Sequence, residues 1–321
     1  MDAVPAMVVD VPASAGHRYF LSWMNGLEHE VDFWDDVFRT RGLEWPDEFQ
    51  ARLQPSRPVP AYLQRAVADC DRTPMAILDV GAGPFSKLGN YQWNRSVEFR
   101  AVDPLAAYYA RLIKREKLTP PVWTQVGFAE DLSAFFGSGN FDIVHCSNAL
   151  DHSLDPLRGI REMVKVLRVG GTAVLFHSPH EGVNANYVGL HQWNFDVKEG
   201  RALLWNREHR HDLAELLSPH CAVTAELVEE GGNPNVLVSV RKHSELDLAN
   251  DSAENSARMR DLLTAIVDFS LQRPAPVTTR QRLRRDLRKF LLDHAPALMA
   301  GYRGARRAID SRLPLAAKSE V

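Results

Sequence analysis

The sequence has little of what stabilises small secreted proteins or anchors membrane proteins. Its only three cysteines among 321 residues are Cys70, Cys146 and Cys221. They are odd in number, far apart and without CxxC spacing, which excludes a disulfide framework and a cysteine-based zinc cluster. No stretch approaches the ~18 consecutive apolar residues that a membrane span requires. The first residues carry Asp2 instead of a basic region, so no secretory signal is expected. These absences predict a soluble cytoplasmic protein.

Basic charge is scarce in the body of the chain and concentrated at its end. The net charge is −3, but residues 271–321 hold 12 Lys and Arg against 4 Asp and Glu, which leaves −11 for the first 270 residues. The basic residues surround apolar positions at helical spacing, such as Leu283, Leu287 and Leu291. This segment therefore either packs on the body or lies at an anionic membrane surface. Nucleic acid is disfavoured, because the segment has only two aromatic residues and the rest of the chain is acidic.

Three regions differ in pattern, and the middle one predicts the fold class. Residues 1–71 are predicted to form a helical N-terminal cap, and residues 244–321 a basic helical region. Residues 72–243 alternate short apolar runs with amphipathic stretches, which is typical of an α/β domain with a mostly parallel sheet. Two last runs predict an antiparallel pair at one edge. The predicted strands are MAILDV, VEFRAV, PVWTQV, FDIVHC and TAVLFHS, followed by CAVTAELVEE and NPNVLVSVRK.

A glycine turn follows the first of these strands. Asp79 ends the strand, Gly81 and Gly83 follow, and Asp103 ends the next strand 24 residues after Asp79. An acid at that point can accept both hydroxyls of a ribose. A dinucleotide would also require a third glycine for its pyrophosphate, but residues 84–86 are Pro, Phe and Ser. S-adenosylmethionine has no phosphate, so the pattern favours it over NAD.

With five motifs in order, residues 75–178 resemble the class I S-adenosylmethionine-dependent methyltransferases. The resemblance implies a Rossmann-like sheet and this cofactor. It also implies a role for eight residues: Asp79, Gly81 and Gly83 along the methionine portion, Asp103 at the ribose, Phe128, Ala129 and Glu130 around the adenine, and Asn148 beside the methionine end. Many relatives have an acid where this chain has Phe128, so Glu130, Asp131 or backbone carbonyls are expected to read the adenine amino group.

Two groups of histidines follow strands at the predicted ligand-binding edge. Methyl transfer to an alcohol needs a base, and histidine has a suitable pKa. Asp151 and His152 follow the fourth strand, and an aspartate beside a histidine can fix its tautomer. Residues 177–181, His-Ser-Pro-His-Glu, follow the fifth. We expect catalysis from His152, Asp151 and His180, and substrate contacts from His177 and Glu181. His145 lies inside a strand and is expected to be a packed core residue.

A metal ion is the competing chemistry for these residues. The same histidines and acids include good ligand types, and a divalent ion could orient and acidify a sugar diol. However, Ser147 and Asn148 close the fourth strand, without the acid that metal-dependent catechol-type methyltransferases place there. The sequence therefore predicts a metal-free site.

An aromatic segment around residues 180–206 is expected to hold the substrate. It is too irregular for one regular element, and amide and imidazole side chains alternate with its rings, as in sugar-binding sites. The alternative is an insertion whose aromatic residues pack on the sheet. The expected substrate residues are Tyr187, His191, Gln192, Trp193 and Asn194.

The leading functional interpretation is O-methylation of a sugar hydroxyl. The segments ALDHSLDP and GLHQWNF and the N-terminal FW…WP region resemble methyltransferases of bacterial polysaccharide and glycan modification. That resemblance implies a glycan acceptor, such as a mannose- or rhamnose-containing polysaccharide. Methylation of a small aromatic or lipid metabolite, and a cofactor-binding scaffold without catalysis, stay open as alternatives. The oligomeric state also stays open, as does a location at the inner face of the membrane.

Overall fold

The structure is a computed structural model that describes residues 13–246 and, beyond them, residues 257, 260–262 and 264–268. In the first helix, side chains are described for Trp23 and from Gly26 onward. The predicted basic helices of residues 271–321 lie outside the described residues, and so does their predicted membrane contact. Among the described residues, no helix is both long and apolar enough to cross a membrane.

Helices and strands alternate through most of the described chain. In chain order they are α1 (Ala13–Thr40), α2 (Pro46–Ala51), β1 (Arg57–Pro58), α3 (Ala61–Ala68), β2 (Met75–Val80), β3 (Tyr91–Gln92), β4 (Val97–Asp103), α4 (Ala106–Arg115), β5 (Thr124–Val126), α5 (Leu132–Phe136), β6 (Phe141–Ser147), α6 (Pro156–Val166), β7 (Leu167–His177), α7 (Glu181–Asn184), β8 (Asn194–Lys198), β9 (Arg201–Trp205), β10 (Arg210–Asp212), α8 (Leu213–Leu217), β11 (Cys221–Glu230) and β12 (Asn233–Lys242). Single 3₁₀ turns cover Leu88–Asn90, Ala129–Asp131 and Leu150–His152.

A seven-stranded sheet forms the centre of the molecule, in the order β11-β12-β7-β6-β2-β4-β5. The five strands from β7 to β5 are parallel, with Ile77 of β2 opposite Phe99 of β4 and Ile143 of β6. β12 runs antiparallel to β7, and β11 antiparallel to β12. This is the predicted Rossmann-like class I methyltransferase sheet with its antiparallel edge. β2 is buried at nearly every position, as expected for a central strand between two layers of helices.

Residues before and after the sheet pack on α4 and on the turns at the carboxyl ends of the strands. Leu27 and Val31 of α1 pack in one apolar cluster with Tyr109 of α4 and with Phe85 after the glycine turn. Ile266, from the helical residues after the sheet, is fully buried in the same cluster. The predicted cap thus packs directly on the sheet domain through its apolar stripe.

The aromatic insertion is more regular than predicted. β8, β9 and β10 form a three-stranded antiparallel sheet. Trp193 and Phe195 are 7% and 1% exposed and belong to the main core cluster, and Trp205 is 8% exposed. The rings pack inward because β8 and β9 lie against β11 of the central sheet. A role of this segment in sugar binding stays a prediction.

Candidate active site

A cleft opens where β2, β4 and β6 end, the edge at which parallel sheets bind ligands. The space between its walls, its open mouth included, is about 580 Å³. The walls come from four places: α1, the turn after β2, the residues after β4 and β5, and the residues after β6. The residues that line these walls include Trp23, Leu27, Glu30, Gly81, Asp103, Leu105, Phe128, Ala129, Glu130, Ala149, Leu150 and His152.

The glycine turn is shaped by close approaches on both sides. Gly81 has φ +65°, and a Cβ there would lie 2.2 Å from the Cβ of Ala149. Gly83 has φ +62°, and a Cβ there would lie 3.2 Å from the indole of Trp34 on α1. A side chain at Gly81 would close the space between the turn and the residues after β6, so the cradle depends on glycine.

Asp103 lies in the cleft with both carboxylate oxygens already oriented. Oδ2 accepts from the backbone N of Gly83 at 3.0 Å, and Oδ1 from that of Leu105 at 2.9 Å. Tyr109 also hydrogen-bonds to this carboxylate, which leaves part of its acceptor capacity for a ribose hydroxyl. Burial raises the pKa of Asp103 to about 7, although the two backbone hydrogen bonds oppose the shift.

The predicted adenine side is apolar except for one acid. Phe128 and Ala129 are buried and line the cleft. Glu130, 2% exposed, accepts from the backbone N of Asp155 at 3.2 Å. Burial raises the pKa of Glu130 to about 7. The cleft thus combines an apolar slot with two carboxylates, which fits an adenosine group.

Two of the residues expected at the methionine part of the cofactor, Asp79 and Asn148, make hydrogen bonds within the protein. Asp79 does not line the cleft: it accepts from Ser86 Oγ at 2.7 Å and lies 2.7 Å from Nδ1 of His145. His145 is fully buried, the packed core histidine that the sequence predicts. Asn148, at φ +48°, accepts from the backbone N of Ser178 at 2.7 Å. Both side chains brace the turns around the cleft instead of facing it.

Next to the cleft, three polar side chains form what we call the histidine cluster: Asp151, His152 and His191. Nδ1 of His191 lies 2.8 Å from Oδ2 of Asp151 and 3.0 Å from Nε2 of His152. Nε2 of His152 lies 3.4 Å from the same Asp151 oxygen. His152 also lines the cleft, so the cluster reaches the cofactor site through it.

The cluster is electrostatically coupled. Burial alone would raise the pKa of Asp151, but the imidazoles of His152 and His191 outweigh it and lower this pKa to about 2. Burial lowers the pKa of His191, but the hydrogen bond to Asp151 and the nearby negative charges of Asp151 and Glu181 together outweigh it, so the pKa of His191 is raised. Asp151 is therefore a carboxylate at any ordinary pH.

Three different environments surround His177 at the end of β7 and His180 and Glu181 after it. His177 is 1% exposed, stacks on Phe195 at 4.0 Å, and has Nδ1 4.0 Å from Oδ1 of Asp151. Burial lowers the pKa of His177 to about 4, so its ring is neutral. His180 lies against Asp196 and Trp205. Glu181 is half-buried, and burial, followed by the charge of Asp151, raises its pKa.

Three of the expected substrate residues are occupied by internal contacts. Gln192 donates to the backbone oxygens of Tyr187 and Gly189 at 2.9 and 2.8 Å. Asn194 is fully buried and donates to Tyr187 Oη at 3.1 Å. Trp193 is buried against the central sheet. These groups hold the insertion together, and their expected contact with a substrate stays a prediction. Tyr187 itself is half-buried, with Arg207 4.3 Å from its ring centroid.

Sequence reasoning missed two parts of the site. It placed His191 with the substrate residues, whereas the fold brings it to Asp151, 40 positions away. It also gave α1 no role in the cleft, yet Trp23, Leu27 and Glu30 line it. No spacing rule predicts the first contact. For the role of α1, the available signal was its tryptophans at helical spacing, because a helix that faces only solvent does not need such large apolar side chains.

Comparisons with known proteins identify the domain. Residues 78–175 match the family model described as a methyltransferase domain. No curated protein matches the chain. Among solved structures, a 1,6-didemethyltoxoflavin N1-methyltransferase from Burkholderia thailandensis, with bound 1,6-didemethyltoxoflavin and S-adenosylhomocysteine, is 20% identical. It has a TM-score of 0.40, and the match covers 76% of this chain and 99% of that one.

Two further structures are similar at lower identity. An S-adenosylmethionine-dependent methyltransferase from Clostridium acetobutylicum is 12% identical at a TM-score of 0.34, over 57% of this chain and 89% of that one. The CurJ carbon methyltransferase is 14% identical at 0.36, over 58% and 56%. None of these likenesses bears on the substrate of this chain. Residues 78–175 therefore form a methyltransferase domain, built on a sheet with the Rossmann-like order of class I methyltransferases, and its cofactor is S-adenosylmethionine.

Proposed function

We propose that this protein transfers the methyl group of S-adenosylmethionine to a hydroxyl of a sugar, within an oligo- or polysaccharide. One observation carries the proposal: His152 lines the cofactor cleft and is also a member of the histidine cluster. A group able to act on a hydroxyl proton therefore stands beside the place where the methyl donor binds.

The cofactor is held by residues on opposite sides of the cleft. Asp103 accepts the ribose hydroxyls, and Phe128 and Ala129 border the adenine. Glu30 of α1 lies on the opposite wall, where its Oε1 accepts from Trp34 Nε1 at 2.7 Å. When bound, the cofactor supplies an electrophilic methyl group on sulfur. The protein holds the acceptor oxygen in line with this methyl group. Such positioning supplies most of the rate acceleration of a displacement.

The acceptor hydroxyl has to lose its proton as it gains the methyl group. Alcohols ionise far above neutral pH, so the proton needs an acceptor at the site. The histidine cluster provides one, and Asp151 stabilises the positive charge that results. The oxygen–carbon bond forms, the carbon–sulfur bond breaks, and the proton leaves through the cluster.

The glycan acceptor is supported by the loop that carries His191, between α7 and β8. His191 has a side chain that is 36% exposed, and the half-buried ring of Tyr187 precedes it in the same loop. Exposed polar groups next to an aromatic face suit a sugar better than an entirely apolar ligand. We place the reaction in the cytoplasm, and the division of the chain at about residues 71 and 243 stays a prediction.

A methylation screen tests the proposal. The purified chain is incubated with S-adenosylmethionine labelled in its methyl group and with mannans, rhamnans, their oligosaccharides, catechols, phenols and lipids. Label in an alkali-stable ether on a sugar is the expected result. Label only on phenols or lipids would instead support the small-molecule alternative. Cofactor binding without transfer to any acceptor would support a non-catalytic scaffold.

A further inference from the structure

We infer that the histidine cluster binds one divalent first-row transition-metal cation, through Oδ2 of Asp151, Nε2 of His152 and Nδ1 of His191, and that the acceptor hydroxyl is a further ligand of this cation. The inference rests on the proposed function only for the second part, the role of the hydroxyl. It departs from the metal-free site that the sequence predicts.

The three atoms have the spacing of ligands around one ion. Their separations are 2.8, 3.0 and 3.4 Å. Bonds of about 2.0–2.2 Å from a metal to nitrogen or oxygen put neighbouring ligand atoms about 3.0 Å apart at right angles and about 3.4 Å apart at a tetrahedral angle. Among the described residues, these three are also the group of His, Cys, Asp or Glu side chains whose possible ligand atoms all lie within 4.8 Å of one another.

The fold holds the donors in place from three directions. Asp151 and His152 lie on the 3₁₀ turn after β6, and His191 on the loop before β8. The backbone N of Gln192 donates to the carbonyl O of Asp151 at 3.1 Å, which joins the two segments. Trp23 Nε1 donates to the carbonyl O of His152 at 2.7 Å. A site whose supporting contacts are already made loses little entropy when a ligand binds.

A second observation points to a missing ligand. Oδ1 of Asp151, a residue only 2% exposed, has no hydrogen-bond partner among the described residues. The same holds for both ring nitrogens of the buried His177 beside it. Buried polar atoms normally have a hydrogen-bond partner. The unpartnered atoms of Asp151 and His177 therefore indicate that a further polar species binds beside them. A cation and one of its waters would supply it.

The donor set selects the class of cation. Two imidazoles and one carboxylate suit Mn²⁺, Fe²⁺, Co²⁺ or Zn²⁺, whereas Mg²⁺ and Ca²⁺ prefer oxygen ligands throughout. Three protein ligands leave open positions, which is typical of catalytic metal sites and not of structural ones. A hydroxyl bound at an open position would be oriented and made more acidic. A cation accepts no proton, and its two imidazole ligands are occupied, so with the cation bound the proton of the acidified hydroxyl would pass to solvent water.

The acid that is missing at the end of β6 belongs to a different position. Ser147 and Asn148 offer no carboxylate where β6 closes. The acid of this site is Asp151, one turn later, and its second imidazole partner comes from a distant loop. Only the folded structure brings the three ligands together.

Direct metal binding tests the inference without an acceptor. Tag-free protein is dialysed against a chelator and then titrated with Co²⁺, whose visible absorption reports nitrogen and oxygen ligands, and with Mn²⁺ and Mg²⁺ by calorimetry. We expect one equivalent of Co²⁺ or Mn²⁺ to bind, with Mg²⁺ much weaker. His191→Ala should weaken binding by more than the ~10–100-fold that loss of an outer partner costs. The matched control is His209→Ala, on the β9–β10 loop, which should bind like the parent chain.

The outcomes separate this inference from the proposed function. Absence of stoichiometric Co²⁺ and Mn²⁺ binding, or equal binding by His191→Ala, would overturn the inference. Sugar methylation at full rate after chelation would also overturn it, yet would leave the proposed function standing. Stoichiometric binding that His191→Ala removes, with no transfer to any hydroxyl, would support the cation site while the proposed function fails. Circular dichroism of His191→Ala confirms that its fold is intact.

Discussion

Trp23 of α1 donates its indole N–H to the carbonyl oxygen of His152, at 2.7 Å, across 129 positions of the chain. Trp23 is 3% exposed and lines the cofactor cleft. One hydrogen bond thus joins the helical N-terminal region, the cleft and the histidine cluster.

Trp23→Phe should weaken cofactor binding while the fold stays intact. The substitution keeps an aromatic ring and removes one buried hydrogen bond, whose net value is about 0.5–1.5 kcal/mol. We expect S-adenosylmethionine affinity to fall about 2–12-fold in calorimetry. Trp45→Phe, at a tryptophan that is 52% exposed, is the matched control. Equal affinities in the two variants would mean that α1 does not shape the cleft.

Gly81→Ala should destabilise the protein through contact and not only through backbone strain. Its Cβ would meet Ala149, and overpacking of this kind costs about 1–3 kcal/mol. Gly200→Ala isolates the backbone component, because Gly200 has φ +74° and a methyl group there would have nothing within 4 Å. Urea denaturation should show the larger loss for Gly81→Ala. The double change with Ala149→Gly should recover part of it, and no recovery would contradict the contact.

Cofactor affinity should rise with pH around neutrality. Burial raises the pKa of Asp103 to about 7, so below this pH the side chain is a neutral acid in the empty cleft. The carboxylate is the better acceptor for ribose hydroxyls, so affinity is expected to fall as pH drops from 8 to 6. Asp103→Asn should bind ~10–100-fold more weakly at pH 8, in line with hydrogen bonds to a charged group. Its pH dependence should be flatter than that of the parent chain.

The titration of Glu130 has to be distinguished from that of Asp103, because burial raises the pKa of Glu130 to about 7 as well. Glu130→Gln removes this titration and leaves Asp103 unchanged. If the pH profile of binding is flattened by Glu130→Gln and kept by Asp103→Asn, the ribose assignment is wrong.

His152→Ala should lower methyl transfer by ~10²–10⁴ with little change in cofactor affinity. His152 supplies an imidazole at the cleft whether it acts on the proton itself or through a bound cation. His180→Ala is the informative comparison, because His180 packs against Trp205 and Asp196. Single-turnover rates of methyl transfer in the two variants decide between His152 and His180. Collapse of the rate in His180→Ala, with His152→Ala still active, would move the chemistry to the loop after β7.

The sheet, and the position of Asp103 at its edge, could be predicted from the sequence because both depend on local patterns. β11 and β12 begin and end where the apolar runs do, and Asp103 follows from its place at a strand end. Burial was harder: Trp193 and Asn194 have the composition of a sugar site, but they face inward once β8 pairs with β9. The pairing of His191 with Asp151 depends on a loop path that no periodicity encodes.

The wall that α1 adds to the cleft links ligand binding to the stability of this helix. Leu27 lines the cleft and also packs in the apolar cluster with Tyr109. A ligand that binds between α1 and the sheet therefore stabilises the docked helix by mass action. Hydrogen exchange should show that S-adenosylmethionine protects the amides of α1 more than those of the edge strand β11.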